Sequence, residues 1–415
     1  MKKLKILYII TLICCMSLSS LAAQTQPPQE YLDWLENLKQ EMIARGISEP
    51  TVREAFSHNY YHPQHKVIRH DRSQNEFVLT SADYLHRVLT ADRIQKGRQL
   101  YQKLQKKYGS EVLGVPLHYL VAFWGIETSY GVYKGTFPAI EALTVLSYDK
   151  RRSQFFREEL YYALKILDDG HIPVADIKSS WAGAMGHFQF MPSTFNKYGK
   201  DGNQDGFINI WEDFDDALYS AANYLSSIGW KTDEPWGIMV DLPWNFDYML
   251  AGRNKSKTIK AWKQAGINIK GLKDDQKVAL IVPDGRRGQA YLVLPNFHVI
   301  MEWNRSENYA LAVGLLADKI KNPHLPASAP SKTGRKLAKH DILKVQKFII
   351  SQKIDNIEAD GNLGLKTRLA VQKLQKRFAF PADGYPDGQL LECIDTFSKF
   401  GYFPLVPPQK LHRGK

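Results

Sequence analysis

The segment Asn322-Pro-His-Leu-Pro-Ala-Ser-Ala-Pro-Ser-Lys-Thr-Gly334 most constrains how this chain folds. Proline, serine and alanine without an apolar period read as a linker between two cores. The expected organisation is a signal peptide over 1–23, a large domain over 24–325, a linker over 326–338, a small module over 339–398 and a tail over 399–415. The 415 residues are 44% hydrophobic and 24% charged, which excludes wholesale disorder and fibrous repeats.

The large part reads as mainly helical. Tyr31, Trp34, Leu35, Leu38 and Met42 recur every three or four residues, which predicts a helix over Tyr31 to Arg45. Further helices fit Ala91 to Tyr108, Pro116 toward Gly131, Arg152 to Leu167, Asp215 to Leu225 and Tyr309 to Ile320. Between them, Val278 to Val282 and Ala290 to Leu294 flank a Gly-rich turn and predict a β-hairpin. After the linker, helices over Asp341 to Gln352, Thr367 to Phe378 and Asp387 to Phe397 make a three-helix module. The expected class is mainly α, with some β.

Lys2-Lys3-Leu4-Lys5, an apolar run from Ile6 to Leu18 and small residues to Ala23 have the order of a secretory signal peptide. Cleavage is expected after Ala22 or Ala23, and a retained anchor is the alternative. A lipid anchor is not expected, because Ile13 and Cys14 are poor residues before a lipidated cysteine. Without Cys14 and Cys15, Cys393 stands alone and no internal disulfide forms. The formal charge of +12 favours an anionic partner: a wall polymer, a membrane surface or nucleic acid. Export argues against nucleic acid, and no other apolar run reaches membrane length.

Two stretches carry chemistry. In Val115 to Gly131, Leu117, Leu120, Val121 and Trp124 form one helix face, and Glu127 continues it near the C-terminal end. Burial and the helix dipole both raise a carboxyl pKa there, as a general acid requires. The alternative is a rim glutamate paired with a lysine or arginine. Ser180-Trp-Ala-Gly-Ala-Met-Gly-His-Phe-Gln-Phe-Met-Pro-Ser-Thr194 is first small, then aromatic and polar. Small residues admit a ligand to the backbone, and Ser180 and Gln189 can bond sugar hydroxyls or amides.

Glu127-Thr-Ser-Tyr-Gly131, Arg151-Arg152, Gly183-Ala-Met-Gly186, Gln189-Phe-Met-Pro192 and Leu294-Pro-Asn-Phe297, in this order, resemble the lytic murein transglycosylase B family. The resemblance runs from about Tyr31 to Lys321. It implies a lysozyme-like core, a periplasmic enzyme and peptidoglycan glycan strands as substrate. It also implies cleavage of the MurNAc–GlcNAc β-1,4 bond to 1,6-anhydroMurNAc ends, with Glu127 as the single acid and base. Substrate-contacting positions fall on Tyr84, Arg151, Arg152, Ser180, Gln189, Tyr224, Trp303, Asn304 and Tyr309. Trp303 replaces a tyrosine common in the family, and His187 reads as pocket lining. Asp360-Gly361, Gly364, Thr367, Gln372 and Asp383-Gly384 resemble a three-helix peptidoglycan-binding domain, which is expected to raise affinity for the wall. A monomer is expected. An inactive wall-binding scaffold is the alternative, and the intact Glu127 and Gln189 argue against it.

Asp201 to Glu212 fits the calcium-loop spacing D-x-[DN]-x-[DN]-G-x₅-E. Asp201, Asn203, Asp205 and the Phe207 carbonyl offer hard oxygens, and Glu212 is the twelfth residue of the pattern. The resemblance instead places the last acid at Asp216. A structural calcium ion is expected, with sodium or a plain solvated turn as alternatives. No cofactor is expected for catalysis.

Overall fold

The computed structural model describes residues 27–57, 67, 80–326 and 337–402. The expected signal peptide and most of the linker lie outside these residues. Among the described residues, no helix is long and apolar enough to cross a membrane.

The fold is mainly α, as the periodicities predict. It begins with α1 (Gln29–Ala44), α2 (Glu49–Ala55), α3 (Ser81–Val88) and α4 (Ala91–Tyr108). The short β1 (Glu111–Val112) and β2 (Val115–Pro116) pair and lead into α5 (Leu117–Thr128). Next come β3 (Phe137–Pro138), α6 (Ala139–Tyr148), α7 (Ser153–Asp168) and β4 (Lys178–Ser179), with β3 and β4 paired antiparallel. Helices α8 (Pro192–Tyr198) and α9 (Phe214–Ser227) flank the acidic loop.

Residues from Leu117 to Gly125 are all buried, so α5 runs through the core and does not lie along it by one stripe. A helix apolar on every side has no solvent face to offer. It packs against α4 and α12 (Glu307–Lys321).

A four-stranded sheet follows α9: β5 (Gly237–Val240), β6 (Lys257–Thr258), β7 (Lys277–Ile281) and β8 (Ala290–Val293), in the order β5-β8-β7-β6. The predicted hairpin is β7–β8, with Ala279 opposite Val293 and Ile281 opposite Tyr291. Period-two alternation splits its side chains. Ala279, Ile281, Tyr291 and Val293 join the helical core. Val278, Leu280, Ala290 and Leu292 join a second core, with Trp262 of α10 (Ile259–Gln264). The sheet is therefore apolar on both faces. It leads through α11 (Pro295–Trp303) into α12.

The C-terminal module contains α13 (Lys339–Ser351), α14 (Leu365–Arg377) and α15 (Gly388–Phe400) around Ile342, Val345, Val371, Leu374, Leu390 and Ile394. Its packed part starts earlier than the expected linker end. Leu337 is buried in this core, and the Ala338 N–H bonds Asp341 Oδ2 at 2.9 Å. Cys393 is buried and free. The module does not hang from its linker: buried Gln372 donates to the Tyr248 and Ala251 carbonyls at 2.9 and 3.1 Å.

Candidate active site

Glu127 lies in the last turn of α5. The helix stops because Ser129 turns left-handed at φ 51°, and its N–H returns to the Trp124 carbonyl. Glu127 is half-buried, and its Oε1 accepts from the Trp303 indole N–H at 3.0 Å and from the Tyr309 hydroxyl. Trp303 ends α11 and Tyr309 lies in the first turn of α12, so the short turn between them aims both donors. Ser306 caps α12 by accepting the Tyr309 N–H at 3.3 Å, and Asn304 is exposed at the turn.

Burial pushes the Glu127 carboxyl up to about 7, while the Tyr309 and Trp303 donors favour the anion and oppose the rise. Among the described residues, no second carboxylate contributes to that shift. Burial and then the Glu127 charge raise the Tyr84 hydroxyl, which places Tyr84 of α3 within reach of the Glu127 field. The same two causes hold the Tyr309 hydroxyl well above its ordinary value.

Trp303 continues into an aromatic wall. Its ring lies 4.7 Å from Phe123, 5.4 Å from Phe190 and 5.1 Å from Tyr224. Tyr224 stacks on Tyr198 at 4.6 Å and 30°. Phe190 and Tyr198 were not singled out from sequence. Phe190 stands inside the Gln189 motif, where an aromatic reads equally well as core.

The small-residue loop is rigid for identifiable reasons. Ser180 Oγ accepts the Ala182 and Ala184 N–H groups at 3.3 and 3.2 Å. Met185 and Phe190 exchange backbone bonds of 2.8 and 2.9 Å. Gly186, at φ +68°, has no room for a side chain: a Cβ there would stand 2.4 Å from the Ile210 carbonyl oxygen. Gln189, left-handed at φ 51°, donates to the Lys134 and Gly186 carbonyls at 3.1 and 3.0 Å. The following helix, α8, is anchored by buried Glu159, which accepts the Ser193 N–H at 2.9 Å. His187 accepts the Trp124 indole N–H at Nδ1 across 3.0 Å, and burial lowers its imidazole to about 4. It is a neutral acceptor in the wall of the loop.

The structure thus brings Glu127, Trp303 and Tyr309 into direct contact, with Tyr224 against Trp303 and with Tyr84 on α3, which packs against α12. Arg151 and Arg152 stay exposed on the turn between α6 and α7, Arg152 lying 4.8 Å over the Phe156 ring.

In the acidic loop, Asp201 is the hub. Its carboxylate accepts the Gln204 N–H at 2.6 Å and the Gly206 N–H at 2.9 Å. Asn203 Oδ1 accepts from Asp205 N, and Asp205 Oδ1 accepts from Phe207 N, both at 2.9 Å. Glu212 turns away, mostly exposed, to pair with Lys134 at 2.9 Å. Buried Asp216 accepts the Gly202 and Asn209 N–H groups at 2.8 and 2.7 Å, closing the loop from behind. Asp213, which sequence reading passed over, accepts from Asn203 Nδ2 at 2.8 Å and caps α9. The donors are oxygens in successive Asx turns, which suits a hard cation. Among the described residues, no three acidic, histidine or cysteine side chains stand together as a metal cage. Such a cation would be held by Asp201, Asp205, the Asn203 amide oxygen and the Phe207 carbonyl.

A model of the transglycosylase SLT domain matches residues 30–318, and a model of a peptidoglycan binding domain matches residues 339–394. The chain is 32% identical over 248 residues to the membrane-bound lytic murein transglycosylase B of Escherichia coli (strain K12). That match covers 57% of this chain and 66% of the relative, just under two thirds of its length. The crystal structure of SltB3 from Pseudomonas aeruginosa in complex with NAG-anhNAM-pentapeptide superposes with a TM-score of 0.79 at 36% identity. It covers 88% of this chain and 99% of that one. The Escherichia coli lytic transglycosylase Slt35 in complex with calcium is similar at a TM-score of 0.59 and 27% identity, over 69% of this chain and 92% of that one.

Proposed function

The chain belongs to the transglycosylase SLT domain family, and on that premise we propose that it is a peptidoglycan lytic transglycosylase of the periplasm. The bond cleaved is the β-1,4 link from MurNAc to GlcNAc, and the product is a 1,6-anhydroMurNAc end. The observation that carries this reading is one half-buried carboxyl, held up to about 7, with both its donors on Oε1. Among the described residues, Oε2 accepts no hydrogen bond. Ordinary glycosidases divide the work between two carboxylates, and among the described residues no second carboxylate perturbs Glu127.

Glu127 protonates the glycosidic oxygen as its bond to the muramyl C1 breaks, and GlcNAc leaves with a C4 hydroxyl. The muramyl C6 hydroxyl attacks C1 of its own ring and passes its proton to the Glu127 carboxylate. Glu127 ends protonated and no water is consumed. The attack is intramolecular and gains from proximity. Tyr309 and Trp303 hold Oε1 and stabilise the anion formed midway. Trp303 and Tyr224 offer aromatic faces to the sugars, and Tyr84, Asn304, Ser180, Gln189, Arg151 and Arg152 serve as polar contacts along the strand and its peptide.

The acidic loop is the proposed structural calcium site, consistent with the calcium complex of Slt35. It lies between α8, which continues the Gln189 motif, and α9, which carries Tyr224.

Purified protein incubated with murein sacculi, with mass spectrometry of the released muropeptides, tests the reading. Anhydro ends are expected. Reducing, hydrated ends would mean lysozyme-type hydrolysis, and binding without release would mean a wall scaffold.

A further inference from the structure

Helix α3 carries Tyr84 and packs against α12, whose Tyr309 bonds Glu127, yet it has only 8 residues, too few to be stable alone in water. Its N-terminus is held from elsewhere in the chain. Buried Asp284 accepts the Ser81 N–H at Oδ1 and the Ala82 N–H at Oδ2, at 2.7 and 2.8 Å, over 200 residues away in sequence. Thr80 caps the same end, and Ser81 bonds Asn308 of α12. A carboxylate on the free N–H groups of a helix start is a strong restraint.

Asp284 stands in the turn that follows β7, and the C-terminal module grips that turn. Arg368 of α14 donates to the Pro283 carbonyl at 2.8 Å. The Arg286 N–H donates to Asp383 Oδ2 at 2.8 Å, while Gln375 holds the other oxygen of Asp383 at 2.7 Å. Gly285, at φ +71°, touches the module so closely that a Cβ would stand 2.7 Å from Tyr385 and 2.8 Å from Asp383. Gln372 and Asp383, two of the residues by which the module resembles a wall-binding domain, face the catalytic body. A cleft of about 260 Å³ runs along this seam, between Ser81, Asp284 and Asn308 on one side and Arg368 and Tyr385 on the other.

We propose that the C-terminal module braces the catalytic site: by fixing the Pro283–Arg287 turn it holds Asp284 on the start of α3, and so holds α3, with Tyr84, in register on α12, whose Tyr309 bonds Glu127. Asp284 is a positioning residue, and the module supports turnover even on fragments too short to need a second binding domain. The proposal rests on the glycan-cleaving reading for its rate effect, but its structural effect stands apart from it.

The test uses the full chain. Gly285→Leu combined with Arg368→Ala wedges and unlatches the seam, and small-angle scattering reports release of the module. Asp284→Asn leaves the module in place but gives one of the two α3 N–H groups a donor to face. Hydrogen exchange at Ser81 and Ala82 is expected to quicken in both proteins. On a short soluble glycan fragment, kcat is expected to fall roughly 3–10-fold with KM little changed. The loss should shrink in a Tyr84→Ala background. If the seam variant fails to fold, Asp284→Asn decides alone, since a structural defect elsewhere would not make its loss depend on Tyr84. Faster exchange in a protein whose parent cleaves no glycan would sink the enzymatic reading and keep the brace. Unchanged exchange and turnover with the module released, or in Asp284→Asn, would overturn the brace.

Discussion

Trp303 donates its indole N–H to Glu127 Oε1 across 3.0 Å, tying the end of α11 to the last turn of α5. The tryptophan here lacks the hydroxyl of the tyrosine that the family resemblance leads one to expect. The structure replaces that hydroxyl with a group that only donates. An indole N–H favours the carboxylate form, and it cannot accept the proton of the acid form, so it helps Glu127 most once its proton has gone to the leaving group.

Glu127→Gln is expected to lower turnover on the order of 10²-fold or more, because amide nitrogen neither gives nor takes the proton. Sacculus binding should remain near wild type, since the amide oxygen still accepts from Trp303 and Tyr309. Rates of muropeptide release beside a pull-down on sacculi separate the two effects. Wild-type turnover in this variant would remove Glu127 from the role.

The acid form of Glu127 is lost as pH rises through about 7, so kcat should fall on the alkaline side of neutrality. Tyr309 and Trp303 both lower the carboxyl pKa from where burial alone would set it. Tyr309→Phe should therefore move the alkaline limb upward, while the maximal rate drops. A limb that stays in place, or moves down, would mean the Tyr309 hydroxyl does not stabilise the anion.

Much of this arrangement was legible in the sequence, and the omissions have physical causes. Periodicity marked α4 and the β7–β8 hairpin because each buries a regular stripe or alternation. It misjudged α5, whose apolar residues surround the helix, because a stripe and a full coat look alike over 12 residues. Family motifs marked Glu127, Gln189 and Tyr309. They could not show that Trp303 and Tyr309 share one oxygen, since that depends on the turn joining two helices. Asp284 was invisible: a lone aspartate in a Gly-rich turn is an ordinary turn residue until its helix partner, 203 positions away, is known. The linker composition suggested a tether, and composition carries no information about the Gln372 and Arg368 contacts that dock the module.

Glu127 also costs stability when it ionises. Its folded pKa, about 7, lies above an unfolded value near 4.5, so between those values the native state holds the proton that the unfolded chain has released. More protons on the native state means that stability falls as pH rises through this window. Glu127→Gln should therefore melt higher than wild type at pH 8, with the gap closing toward pH 4.5. Thermal melts across that range check the sign. A gap that is constant with pH would show that the carboxyl is not shifted upward.

The acidic loop should respond to calcium in stability more than in rate. Asp201, Asn203 and Asp205 hold the backbone turns of the loop through hydrogen bonds of their own. Neither Glu212, which leans to Lys134, nor Asp216, whose oxygens hold two backbone N–H groups, stands open as a twelfth-position clamp. Affinity should accordingly be weak, in the range of roughly 10⁻⁴–10⁻³ M typical of extracellular calcium modules. An ion that binds the folded state alone adds about 2.7 kcal/mol at a hundredfold excess over Kd. Calcium at tens of millimolar should raise the melting temperature and chelator should abolish the gain, while initial rates at low temperature change little. Sodium at the same ionic strength should give a smaller rise. Asp205→Ala removes an exposed carboxylate that accepts from Phe207 N and Asn203 Nδ2 within the loop, and it should erase the calcium response while costing little stability in chelator. Melting that is indifferent to calcium and chelator in the wild type would leave the loop as a hydrogen-bonded turn that fixes the start of α9.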